Sequence, residues 1–167
     1  MLESQLRQNR FFSLIGAYSI DPGKTGAVRR SLRYTIALLN QSEKPPVVCL
    51  FPQGALLPWH RRPVRFEPGV EFILRHMQRK IQVSFLGIRV EMLDQQHPEV
   101  FFRFSPLQTI RPGDSFSIQT MSRSFGDMLD SMESEIVKGV QPERCLFRGR
   151  VSVNDRFRNP FKRGARR

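Results

Sequence analysis

Two short stretches of the chain carry side chains able to bind or transform a ligand. The first is Phe51-Pro52-Gln53-Gly54, which directly follows the apolar run Val47–Phe51. Gln53 offers both a hydrogen-bond donor and an acceptor, and Gly54 allows a ligand to approach the backbone closely. The second is Trp59-His60-Arg61-Arg62 with Arg65 and Phe66. Guanidinium groups pair with phosphates such as those of lipid headgroups, and Trp favours the headgroup level of a bilayer. His60 is the one candidate general base beside these groups, but no carboxylate stands at a spacing that would orient its ring. On these residues alone, an ordinary turn and a solvated basic loop remain open readings.

The elements that must position these residues are read from periodicity. Phe11–Ile20 is apolar and aromatic, stops at Asp21-Pro22-Gly23, and is expected to be a buried strand, with a bulge possible at Gly16. Residues 27–40 place Val28, Leu32, Ile36 and Leu39 at helical spacing, with Arg29, Arg30 and Arg33 on other faces, and Glu43-Lys44-Pro45-Pro46 ends them. Val47–Phe51 reads as a strand covered on both faces, which puts the Gln53 loop at a strand's carboxyl end, where open α/β sheets bind ligands.

Pro68 and Gly69 open a second helix, with Val70, Ile73, Leu74 and Met77 inward. Val83–Val90 and Val100–Phe104 are further strands. Met121, Phe125, Met128, Leu129, Met132 and Ile136 form one helical stripe, closed by Lys138 and Gly139. At this spacing the stripe reads as a core face rather than a lipid-contacting one. The expected fold class is α/β, a mixed sheet flanked by helices.

With 167 residues, 40% of them hydrophobic and 25% charged, the chain suits one packed domain, and wholesale disorder is excluded. The charge is lopsided. Of the 27 basic and 15 acidic residues, nine basic residues and one acid (Asp155) lie between Arg144 and Arg167. The expected organisation is a folded domain over residues 1–143 and a mobile basic tail over 144–167, in which Phe157 and Phe161 interleave with Arg and Lys.

Cys49 and Cys145 form neither a disulfide framework nor a zinc-ligand pattern, so a reducing compartment is the default. The run Val47–Phe51 is far short of the roughly 20 residues needed to cross a bilayer, and Met1–Arg10 has no signal-peptide pattern. The expected location is cytoplasmic, peripheral to a membrane.

Phe51-Pro52-Gln53-Gly54 after a strand, followed by Phe66-Glu67-Pro68-Gly69-Val70 opening a helix, resembles the third motif block of the glycerophosphate and lysophospholipid acyltransferase family. That block usually reads Phe-Pro-Glu-Gly-Thr-Arg, and the Gln form is similar to a bacterial branch. Gly16-Ala17-Tyr18-Ser19-Ile20-Asp21 resembles the second block, Gly-x-x-x-Ile-Asp-Arg. The resemblance implies an acyltransferase-like fold and transfer of an acyl group from a thioester to a lipid-type hydroxyl. No bound cofactor is implied; acyl-CoA or an acyl-carrier protein would be the co-substrate. Substrate contacts would come from Phe51, Pro52, Gln53, Gly54, Arg61, Arg62 and Arg65.

The departures from the family pattern narrow this. Pro22 replaces the second block's Arg, Gln53 the Glu, Ala55 the Thr and Leu56 the Arg of the third, and Phe85 stands about where the fourth block has Pro. A phosphate-bearing acceptor therefore loses its recognition groups, and a glycosylated lipid or pigment suits the Gln-bearing branch better. The family's His-x-x-x-x-Asp block is missing: five residues after His60, His76 and His97 stand Arg65, Ile81 and Phe102. The expectation is an N-terminally incomplete chain, preferred over a decayed copy, that is inactive alone and aggregation-prone or dimeric through an exposed edge at Phe11–Ile20. The alternative is a non-catalytic basic module that binds an anionic membrane surface or nucleic acid through the Trp59–Arg65 loop and the tail. Nucleic acid is the weaker partner, since no recognition helix, aromatic platform motif or zinc finger is present.

Overall fold

A computed structural model of the chain describes residues 8, 10–19, 23–41, 46–55, 57–93 and 97–147. Ile20-Asp21-Pro22, Glu43-Lys44-Pro45, Leu56 and the part of the basic tail from residue 148 onward lie outside the described residues. The described elements are helix α1 (Arg10–Leu14), helix α2 (Thr25–Gln41), helix α3 (Gly69–Arg75), strands β1 (Ile81–Val83), β2 (Leu86–Glu91), β3 (Glu99–Phe104) and β4 (Gln108–Ile110), and helix α4 (Ile118–Val137). The fold is a mixed α/β one.

The chain forms two compact units, Met1–Val83 with Leu107–Gly126, and Ser84–Pro106 with Asp127–Arg167. Helix α4 contributes residues 118–126 to the first and 127–137 to the second.

In the first unit, α2 follows the expected stripe. Val28, Leu32, Ile36 and Leu39 are half-buried, whereas Arg29, Arg30 and Arg33 are exposed. Its tightest point is polar. Thr35 is fully buried, and its hydroxyl donates to the Ser31 carbonyl at 2.9 Å. With that one proton used, the hydrogen bond between Tyr18 and Thr35 has the phenol as donor. Ser31 donates in turn to the Ser19 carbonyl at 2.7 Å, so Tyr18 and Ser19 lie against α2. Helix α3 packs on α2 where Gly69 lacks a side chain: a Cβ there would fall 3.4 Å from Leu32 Cδ2. Asn40 bridges the far end of α3, donating to the His76 carbonyl (3.2 Å) and accepting from the Gln78 N–H (3.0 Å). Val64, Ile73, Leu74, Met77, Ile110 and Met121 are the buried apolar residues of this unit.

Strands β1 and β4 pair antiparallel, Ile81 opposite Ile110. Beyond β4, Arg111-Pro112-Gly113-Asp114 makes a turn with Gly113 at φ +86 and Asp114 N–H bonded to the Arg111 carbonyl, the Pro-Gly arrangement of a type II turn. Ser117 then caps α4, its hydroxyl accepting from the Thr120 N–H.

In the second unit, β2 and β3 form an antiparallel pair with Leu86 opposite Phe104, Ile88 opposite Phe102 and Val90 opposite Val100. Serines close its open end. Ser84 donates to the Ser105 carbonyl (2.8 Å), Phe85 N–H donates to the Ser105 hydroxyl (2.9 Å), and Ser105 N–H returns to the Phe85 carbonyl (2.9 Å). Gly87 packs on α4: a Cβ there would lie 3.1 Å from Leu129 and 3.3 Å from the Met132 sulfur. Arg89 pairs with Glu91 and Glu133, and Arg103 forms a two-pronged bond with Glu135. The helix ends in a Schellman motif at Gly139 (φ +68), with Val140 N–H bonded to Glu135 and Gly139 N–H to Ile136.

Four expectations are corrected. The sheet is not one mixed sheet: the described strands form two separate two-stranded antiparallel sheets. Phe11–Ile20 is not a strand. Residues 11–14 belong to the helix Arg10–Leu14, and Gly16 (φ +81) ends that helix with Ala17 N–H bonded to the Phe12 carbonyl. A continuous apolar run has no alternation to separate strand from helix, and a left-handed Gly favours a helix end. Val47–Phe51 is not a covered strand; it has no regular structure, and Val47 and Phe51 are 92% and 89% exposed. No described strand pairs with it. Finally, Val83–Val90 is two strands rather than one, because the Ser105 hydroxyl and backbone take up the hydrogen bonds of Ser84 and Phe85 and divide the run.

Candidate functional site

The loop 51–54 is built around its glycine. Gly54 has φ +66, which side-chain-bearing residues rarely adopt, and its N–H closes a turn onto the Phe51 carbonyl at 3.2 Å. The turn is fastened from outside. The N–H of Glu67, just ahead of α3, donates to the Pro52 carbonyl at 2.7 Å. Glu67 Cγ would be 3.0 Å from a Cβ on Gly54, and its Oε1 3.9 Å. The loop and the Phe66–Val70 segment, separate in sequence, are thus one structural piece.

The Glu67 segment is itself anchored. Phe66 N–H donates to the buried Ser122 hydroxyl (3.1 Å), and the Phe66 ring lies 5.6 Å from that of Phe125. Val64 is buried between exposed Arg65 and Pro63. Alternate residues of this stretch therefore face the core, and Arg65 is held outward.

The Trp59 loop is a second turn, with Arg61 N–H bonded to the Pro58 carbonyl at 3.0 Å. Here the three arginines part company. Arg62 is half-buried and its guanidinium donates to the Trp59 carbonyl (2.7 Å) and the Arg61 carbonyl (3.1 Å), so it braces its own loop. Arg61 and Arg65 are exposed and available to an anionic ligand. His60 is exposed on the turn, and Trp59 is half-buried. Of the loop residues, Pro52 and Gln53 are half-buried and Phe51 is open to solvent.

Glu67 was not singled out as a site residue from sequence. Its signal was its place one residue before the Pro68-Gly69 helix start, but nothing in the linear chain showed that it would lie against Gly54. The arrangement gathers an amide (Gln53), a carboxylate (Glu67) and an accessible backbone at Gly54. Such groups hydrogen-bond a hydroxyl-rich ligand. Among the described residues, no group of three or more His, Cys, Asp or Glu side chains is placed to hold a metal ion, and no helix is long and apolar enough to cross a membrane. The chain matches no protein-family model, no curated protein and no solved structure.

Proposed function

We propose that the chain is an acyltransferase-family protein whose Phe51–Gly54 loop, braced by Glu67, receives an acyl thioester and a lipid-type hydroxyl acceptor at the cytoplasmic surface of a membrane. The observation that supports this reading is the bond from Glu67 N–H to the Pro52 carbonyl. It joins the two parts of the third-block resemblance, Phe51–Gly54 and Phe66–Val70, as a shared binding site would require. Gln53 and Glu67 would engage the acceptor's hydroxyls, and exposed Arg61 and Arg65 the phosphates of the donor or of the headgroups around it.

In the family reaction the acceptor oxygen attacks the thioester carbonyl, an ester forms, and the thiol leaves with the proton that a histidine base has taken from the hydroxyl. None of the three histidines here has an aspartate five residues later. The lone chain is accordingly proposed to bind donor and acceptor without completing transfer at an appreciable rate.

Trp59 is the chain's single tryptophan and sits in the candidate loop, so its fluorescence reports on the site directly. Titration with a long-chain acyl-CoA below its micelle concentration is expected to give a saturable change. Gln53→Ala, and Arg61→Ala combined with Arg65→Ala, should each weaken the binding about tenfold. No binding, or binding indifferent to both changes, overturns the proposal. A Trp59 response to anionic vesicles alone, abolished by deleting residues 144–167, would instead favour the non-catalytic basic module.

A further inference from the structure

The β2–β3 hairpin has its polarity reversed. Side chains that alternate along a half-buried strand normally place apolar groups on the packed face and polar groups outside. Here the face toward α4 carries Gly87, Arg89 and Glu91 from β2 and Glu99, Phe101 and Arg103 from β3. The opposite face carries Leu86, Ile88 and Val90 against Phe104, Phe102 and Val100, with no charged group among them. All six are exposed, from 39% at Leu86 to 68% at Phe104. Met92, next in the alternation where the chain leaves β2, extends the surface at 63% exposure.

We propose that this face is an interface with the same face of a second copy of the chain. Three observations select that occupant. The first is area. Residues of these sizes at these exposures present on the order of 600 Å² from the six strand positions, and more with Met92, which is in the range that one partner contributes to a stable interface. That also exceeds the apolar patch an ordinary monomer tolerates.

The second is charge. The only arginines of the two strands, Arg89 and Arg103, lie on the other face and are paired with Glu133 and Glu135. The apolar face itself thus carries no described cation to meet an anionic headgroup, whereas a second copy needs none.

The third is shape. Two strands in register offer one ridged apolar face centred on the Ile88–Phe102 pair. A two-fold axis through that pair would lay each face on its twin about 10 Å apart, as in a β-sandwich. Helix α4 covers one face of this two-stranded sheet, and the dimer would cover the other.

The experiment is sedimentation velocity on the full chain over a wide concentration range, for the wild type and for Phe102→Glu and Ile88→Glu. The wild type should be a dimer. Each substitution should weaken association by at least about tenfold and leave the far-UV circular dichroism unchanged. A second measurement serves if those variants fail to fold. In a Cys49→Ser, Cys145→Ser background, Ile88→Cys should give a covalent dimer under mild oxidation, and Gln82→Cys, exposed in the other unit, should not. A wild type that stays monomeric overturns the proposal. Its cause then follows from two readings: Ile88→Cys resisting maleimide would mean that the chain covers its own face, and flotation with phosphatidylcholine vesicles would mean that the face binds lipid. A dimer that survives both Glu substitutions and yields no Ile88→Cys crosslink overturns it equally.

Discussion

Glu67 holds the Gly54 turn from two sides: its N–H donates to the Pro52 carbonyl at 2.7 Å, and its Cγ occupies the space 3.0 Å from where a Gly54 Cβ would project. The loop most able to meet a ligand is thus packed against a single carboxylate-bearing residue from the segment that opens α3.

Gly54→Ala should therefore be costly on two counts, the left-handed backbone and the crowding of Glu67. The expected loss is about 1–3 kcal/mol, read from thermal unfolding followed by Trp59 fluorescence. Gly16→Ala is the control, since Gly16 has φ +81 with nothing within 4 Å of its Cβ position, and it should show the backbone cost alone. Adding Glu67→Ala to Gly54→Ala should recover the difference between the two. Equal losses at Gly54 and Gly16 would show that Glu67 does not crowd the turn.

Buried Thr35 makes a second prediction. Thr35→Val leaves the Tyr18 hydroxyl without its acceptor and should lower stability by about 1–3 kcal/mol in urea unfolding. Tyr18→Phe in the same chain removes the orphaned donor and should restore much of that loss. Additive losses in the double variant would mean that the two hydroxyls do not depend on each other.

Acid should loosen the second unit through Glu135. The hydrogen bond from Arg103 holds the Glu135 carboxyl below the usual carboxylate range, against a smaller opposing effect of desolvation and with further help from the Arg103 charge. The folded chain then takes up this proton less readily than the unfolded one. The pair's contribution is fully present above the ordinary carboxylate pKa and is lost as pH falls through the lowered, folded value. Glu135→Gln should flatten the fall of melting temperature with pH below about pH 5, as measured by circular dichroism at 222 nm (a wavelength standard for helix content, about where the amide band lies). An unchanged slope would remove this pair from the acid response.

Periodicity identified the long helices well, because α2 and α4 each turn one apolar stripe inward; the Arg29, Arg30 and Arg33 side chains face solvent as their spacing requires. The turn residues were equally legible where Pro-Gly or a Gly after Lys138 allowed one geometry. Continuous apolar runs were not. Phe11–Leu14 turned helical and Val47–Phe51 paired with no described strand, since neither run carries alternation and their partners, if any, are not encoded locally. Ser84 and Ser105 were invisible for another reason: a hydroxyl that replaces a ladder bond leaves no periodic trace. At the site, the loop was legible from Gln53-Gly54 and the role of Arg61 and Arg65 as outward cations from their composition. The inward turn of Arg62 and the seat of Glu67 depend on which carbonyls the folded loops present, and that is settled only by tertiary packing.

The serine clasp at Ser84 and Ser105 has a bearing on how the chain avoids misfolding. Slipping β2 by one residue against β3 would exchange the two faces of that strand, delivering Leu86, Ile88 and Val90 to the helix and turning Arg89 and Glu91 to water. On hydrophobic pattern alone that alternative is attractive, so the pattern cannot be what fixes the alignment. The clasp can: its three hydrogen bonds close only when Phe85 meets Ser105, which makes two small hydroxyl side chains the alignment key of the hairpin.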